Sequence, residues 1–261
     1  MAHLRRWVLA GIFLAMVLAL SSAALAGPPF LTDDPQPVDY QHWELYVFSA
    51  LDKNHDGTNL QTPAVEVNYG LAPDLQVHLV TPMTLFMPTG SGRAYGLGDM
   101  ELGLKYRFVQ ETEKTPMVGI FPMLEIPSGD AGRGLGNGRT WAKFPLWIQK
   151  SFGDWTTYGG GGYAYNPEPG QKSNFFGGWL LQRKINEKLI LGGEVFVHGP
   201  DHDGGRTTAL YNFGGYYNFT EDFQLLFSVG HTLAGDSHLI AYIGLYWTWG
   251  PKEKADTPPK P

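Results

Sequence analysis

Four clusters in this sequence hold residues of types that could do chemistry. Asp52-Lys53-Asn54-His55-Asp56-Gly57 matches the first half of a calcium loop, D-x-N-x-D-G, whose alternate side-chain oxygens converge on one hard cation. The bidentate glutamate required at the twelfth position would be residue 63, which is Pro63, so a solvated loop is expected instead. His198, Asp201, His202 and Asp203 have metal-ligand chemistry, but loop side chains this close in sequence point apart, and no metal is expected. Asp236-Ser237-His238 has the residue types of a catalytic triad. Neighbours on a strand face opposite sides, which separates them. None of the eight histidines has a serine two residues on, the spacing of a barrel lipase. The glycine-rich runs 132–138 and 96–98 enter strands rather than helices, so loop flexibility accounts for them better than phosphate binding. Without cysteine there is no thiolate metal site, no cysteine nucleophile and no disulfide scaffold. The chain is therefore read as no enzyme, with no cofactor and no metal.

The elements that would position these residues follow a period of two. Leu239, Ala241, Ile243, Leu245, Trp247 and Trp249 share one face, and His238, Ile240, Tyr242, Gly244, Tyr246 and Thr248 share the other. Twelve such segments are expected: 42–50, 60–70, 74–86, 98–109, 115–126, 139–152, 154–165, 174–185, 188–198, 206–219, 222–233 and 238–249. Many are longer than the ~5–6 residues usual for a soluble strand and suit a tilted membrane crossing of ~9–11. Every second connection is tight, and most of those between are longer and rich in glycine, the organisation of a transmembrane antiparallel β-barrel. Twelve strands are preferred, with 10 or 14 as alternatives. A strand with one apolar and one polar face sits in lipid only if every backbone group is paired, so the sheet must close.

Composition agrees with this. In 261 residues there are 34 glycines and 36 Phe, Trp and Tyr, while only 17% are charged. Such a chain is neither disordered nor rich in long helices. The net charge of −6 gives no reason to expect a nucleic-acid partner. If the tight turns mark one rim, Trp43, Tyr69, Tyr106, Phe108, Phe152, Trp155, Tyr217, Phe219, Phe223, Trp247 and Trp249 lie on outward parity near it, as an aromatic girdle would.

The opposite parity collects polar residues. Glu44, Glu66, His78, Glu101 and Lys105, followed by Arg107, Glu125, Lys143 and Glu194, are the candidate lumen and solute-contact residues. Both signs are present, so they are read as partly paired inside the barrel rather than as an ion filter or the lining of a wide porin.

Residues 1–26 have a basic start, an apolar stretch from Trp7 to Leu20 and a terminal Ala24-Leu25-Ala26. This reads as a signal peptide cleaved near Ala26, too short in its apolar run to span a membrane. The remaining organisation is an N-terminal periplasmic segment over 27–41, the barrel over 42–249 and a Pro/Lys-rich tail over 250–261.

Two stretches carry a family resemblance. Gly27-Pro28-Pro29-Phe30-Leu31-Thr32-Asp33-Asp34-Pro35 and Gly96-Leu97-Gly98-Asp99-Met100-Glu101-Leu102-Gly103-Leu104-Lys105-Tyr106-Arg107-Phe108 are similar to a bacterial group of outer-membrane transporters of the phenol meta-degradation pathway type. The resemblance implies a Gram-negative cell outer membrane location and passage of aromatic or otherwise apolar small molecules. Expected partners are outer-membrane lipid, a small-molecule solute and the barrel assembly machinery. The function expected is passive solute uptake. The alternative is a narrow non-conducting structural or adhesion barrel that binds extracellular partners through its loops. The acidic Thr32–Pro35 stretch is placed at or within the periplasmic mouth.

Overall fold

The computed structural model describes residues 28–90 and 92–251. The expected signal peptide and most of the tail lie outside the described residues. The strands are β1 (Trp43–Lys53), β2 (Gly57–Ala72), β3 (Leu75–Pro88), β4 (Ala94–Leu97), β5 (Met100–Val109), β6 (Met117–Ile120) and β7 (Met123–Ile126). After a 3-10 turn (Ala131–Arg133) come β8 (Trp141–Phe152), β9 (Trp155–Tyr165), β10 (Asn174–Lys184), β11 (Leu189–His198), β12 (Thr208–Asn218), β13 (Phe223–Ala234) and β14 (Leu239–Trp249).

These segments build a closed antiparallel barrel of twelve staves. β4 and β5 both pair with β3 and make one interrupted stave. β6 and β7 both lie between β5 and β8 and make another. β1 closes the ring against β14 in an unbroken register from Trp43↔Trp249 to Lys53↔Leu239. Both interruptions have local causes. Pro122 has no N–H to give to a ladder, and at that break Phe121 bonds the Pro145 carbonyl. At Gly98-Asp99 the Gly98 N–H turns to the Pro82 carbonyl.

The alternation sorts the two faces as the physics of lipid requires. Leu102, Leu104, Tyr106 and Phe108 are exposed on the outside of β5, while Lys105 between them is buried inside. Near the tight-turn rim the aromatics pack against one another in groups. Trp43 stands 4.4 Å from Tyr69 and 6.4 Å from Trp249. Phe223 stands 5.0 Å from Phe219 and 4.6 Å from Trp247. This is the girdle expected at a lipid–water boundary.

The other end differs from expectation in extent. β1 and β2 run on through most of the 51–59 stretch and leave a turn of residues 54–56. There the Asn54 Oδ1 accepts the Asp56 and Gly57 N–H groups at 3.0 and 3.2 Å. The calcium-like motif is thus a hairpin turn closed by its own asparagine, a local competitor for the side-chain oxygens.

Residues 28–41 run inside the barrel. Gln41, at φ 64, turns the chain back from β1 at the tight-turn rim, and its N–H bonds the Gly70 carbonyl at 2.8 Å. The period of the strands carries no trace of this placement, because the segment forms no strand of its own.

Candidate functional site

The N-terminal segment is held by inward side chains of several staves. One carboxylate does most: Glu194 on β11 accepts the Leu31 and Thr32 N–H groups at 2.8 and 2.7 Å. Ser228 donates to the Pro29 carbonyl at 2.6 Å, and Gln76 accepts the Val38 N–H at 2.9 Å. Lys105 Nζ lies 2.9 Å from Asp33 and 3.9 Å from Asp34. Arg107 reaches Gln36 at 2.8 Å and the turn residue Asp74 at 2.7 Å. Space for the segment comes from glycine. A Cβ on Gly178 would stand 2.1 Å from Thr32 Oγ1, and one on Gly119 would stand 3.0 Å from Pro35.

On the wall left uncovered, a chain of hydrogen bonds runs from stave to stave. Tyr246 and Tyr46 donate to Glu44 at 2.8 and 3.2 Å. Asn68 donates to Glu44 at 3.2 Å and to Glu66 at 2.9 Å. His78 joins Asn68 at 2.7 Å to Glu101 at 3.1 Å. Lys143 then binds Glu101 at 2.8 Å and Glu125 at 3.5 Å while lying over the Trp141 ring. Burial forces these pairings, since an unpaired ion in such a place is costly.

These contacts border a cavity of about 1760 Å³ whose lining includes residues at both rims. Of the nine residues singled out in the sequence, Glu44, Glu66, His78, Glu101, Lys105, Glu125 and Lys143 line it. Arg107 and Glu194 are instead engaged by the turn and the N-terminal segment. Trp141, Trp147, Phe176 and Phe196 also line the cavity and were not singled out, although they share inward parity with Lys143, Gln149, Gln182 and Glu194. Parity alone would have found them. Collecting only polar inward residues left them out.

The long-loop mouth is more ordered than its glycines suggest. Asp99, at the gap between β4 and β5, accepts the Gly129 N–H at 2.9 Å and the Asn137 N–H at 2.6 Å. Ser128 bonds Gly98 and Met100 across the same gap at 2.8 and 2.9 Å. Leu135 is thereby held in the lumen, 4% exposed. The loop expected to be flexible is latched, because a carboxylate thirty residues away in sequence satisfies its backbone donors.

The remaining clusters do not assemble. Asp201 pairs with His202 at 2.7 Å, Asp203 with Lys172 at 3.5 Å, and His198 donates to the Gly199 carbonyl at 2.8 Å. Among the described residues no group of three or more acidic or histidine side chains converges as metal ligands would. Asp236 faces Arg206 at 2.9 Å, and His238 bonds Asp52 at 2.8 Å, so the triad types point to different partners. The hydrogen bond that His238 donates to Asp52 raises the His238 pKa above its ordinary 6.5. The contribution of this tie to stability is complete below about 6.5 and fades as pH rises through the raised value. Asp52→Asn is expected to bring the His238 titration, followed by NMR, back toward 6.5. It should also remove a stabilisation seen at pH 6 and absent at pH 9.

A family model described as "Putative MetA-pathway of phenol degradation" matches residues 45–242. No curated protein matches. An outer membrane channel from Pseudomonas putida F1 superimposes with a TM-score of 0.69 at 16% identity, over 83% of this chain and 98% of that one. The NanC porin gives 0.57 at 10% identity, over 78% and 98%. The translocator domain of the autotransporter NalP from Neisseria meningitidis gives 0.55 at 12% identity, over 80% and 90%. At these identities the likenesses show a common barrel fold.

Proposed function

We propose that this chain, which belongs to the family described as a putative MetA-pathway of phenol degradation, is an outer-membrane channel for passive uptake of small aromatic or otherwise apolar solutes. The observation that carries the reading is the cavity of about 1760 Å³ with lining residues at both rims of a closed, lipid-facing barrel. A narrow structural barrel would have that space filled by its own side chains. The driving force is the solute gradient, and no cofactor enters. Glu44, Glu66, His78, Glu101, Lys105, Glu125 and Lys143 are the groups proposed to meet the solute. The barrel assembly machinery would insert the chain, and outer-membrane lipid would surround it.

Residues 28–41 narrow the tight-turn half of this passage. Deleting Thr32–Pro35 is expected to raise single-channel conductance in planar bilayers while the barrel stays folded. Unchanged conductance would remove the segment from the conduction path. Wild-type protein that yields neither channel events nor solute flux into liposomes would overturn the channel reading.

A further inference from the structure

The cavity has two unlike walls. On β8, β10 and β11 three rings stand in a row, with Trp147 6.4 Å from Phe176 and Phe176 6.1 Å from Phe196, the last two 25° apart in plane. Glycines on the neighbouring positions let them lie along the wall. A Cβ on Gly160 would meet the Trp147 ring at 3.0 Å, and one on Gly178 would meet the Phe196 ring at 2.7 Å. Trp147 is 2% exposed, lines the cavity, and its indole N–H has no acceptor among the described residues. Such a donor is satisfied by an oxygen that comes with a solute.

The other wall is charged, and unequally so. Among the described residues lining the cavity are eleven carboxylates and four lysines, a formal excess of seven negative charges with histidines neutral. Lys105 and Lys143 are already bound to Asp33 and Glu101 at 2.9 and 2.8 Å, so they offer little to an entering anion. Neutralising two of the carboxylates would still leave an excess of five. A passage with walls of low dielectric focuses such a field. Ring faces also attract cations through their quadrupole. The two walls therefore favour the same sign of charge.

We infer that the lumen selects aromatic cations carrying a ring oxygen over aromatic anions of the same size. This rests on the channel reading and adds to it the charge and substituents of the solute. The ring stacks along Trp147, Phe176 and Phe196, the indole N–H donates to the ring oxygen, and the ammonium faces the carboxylates of Glu66, Glu101 and Glu125. Tyramine and 4-hydroxyphenylacetate are suitable probes, being nearly equal in size and opposite in charge at pH 7.

Bi-ionic reversal potentials across single channels in planar bilayers test it. Tyramine is expected to be at least about fivefold more permeant than 4-hydroxyphenylacetate. Trp147→Phe, which keeps a ring and removes the donor, should abolish a preference for tyramine over phenethylamine. The Phe176→Ala, Phe196→Ala double variant should lower tyramine permeability relative to potassium. Wild-type channels that pass the anion as well as the cation overturn the inference and leave the channel reading standing. An absence of any channel event in KCl overturns the channel reading itself.

Discussion

Replacing Lys105 by alanine is expected to lower stability by about 3–5 kcal/mol and to raise single-channel conductance several-fold. Lys105 is 4% exposed, and its ammonium lies 2.9 Å from Asp33 and 3.9 Å from Asp34, the latter fully buried. It also lies 4.8 Å from the centre of the Phe121 ring. Removing it leaves the Asp33 carboxylate inside the barrel without its counter-charge, and the least costly relief is for the N-terminal segment to withdraw into water. Withdrawal empties the tight-turn half of the lumen, hence the rise in conductance. The triple change Lys105→Ala, Asp33→Asn, Asp34→Asn should recover most of the lost stability, because neutral amides tolerate the site. Urea titration of the folded band on gels and planar-bilayer recording read the two effects. A single variant with wild-type stability and conductance would show that this ion pair does not hold the segment.

The second large effect is expected at Gly160. It sits at φ +151, and a Cβ there would approach the Leu146 carbonyl oxygen to 2.1 Å. That oxygen is backbone of the adjacent stave, where Trp147 pairs with Gly160, so no side-chain rotation can relieve the clash. Gly160→Val should cost on the order of 3 kcal/mol or more through strain and a broken pair, and leave most of the protein unfolded when refolded into detergent. Gly92→Ala, where a Cβ meets nothing within 4 Å, should fold as the wild type does. Heat-modifiable gel mobility compares the two. Equal folded fractions would contradict the close packing of β8 on β9.

Much of the wall was legible because its information is local. Leu102, Leu104, Tyr106 and Phe108 alternate with Glu101, Lys105 and Arg107, and no partner strand is needed to see which set faces lipid. The girdle was legible for the same reason, given the tight turns. Strand ends were less so: β1 and β2 extend to a turn of residues 54–56, since Asp52, Lys53 and Asn59 carry little strand preference and are held by pairing. The aromatic row was half legible. Its parity could be counted, but its flatness depends on glycines of the adjacent staves.

The alternation along the chain is enough to require a closed membrane barrel of about twelve strands, with an apolar outside and an inside of mixed charge. A period of two and lipid's intolerance of unpaired backbone leave little choice of architecture. Which inward charges hold the N-terminal segment and which face the cavity depends on the folded ring. Glu194 and Leu31 are 163 residues apart, and Lys105 and Asp33 are 72 apart. Such pairings arise from register around the closed ring, which fixes depth and neighbours together, and no short window of sequence contains it.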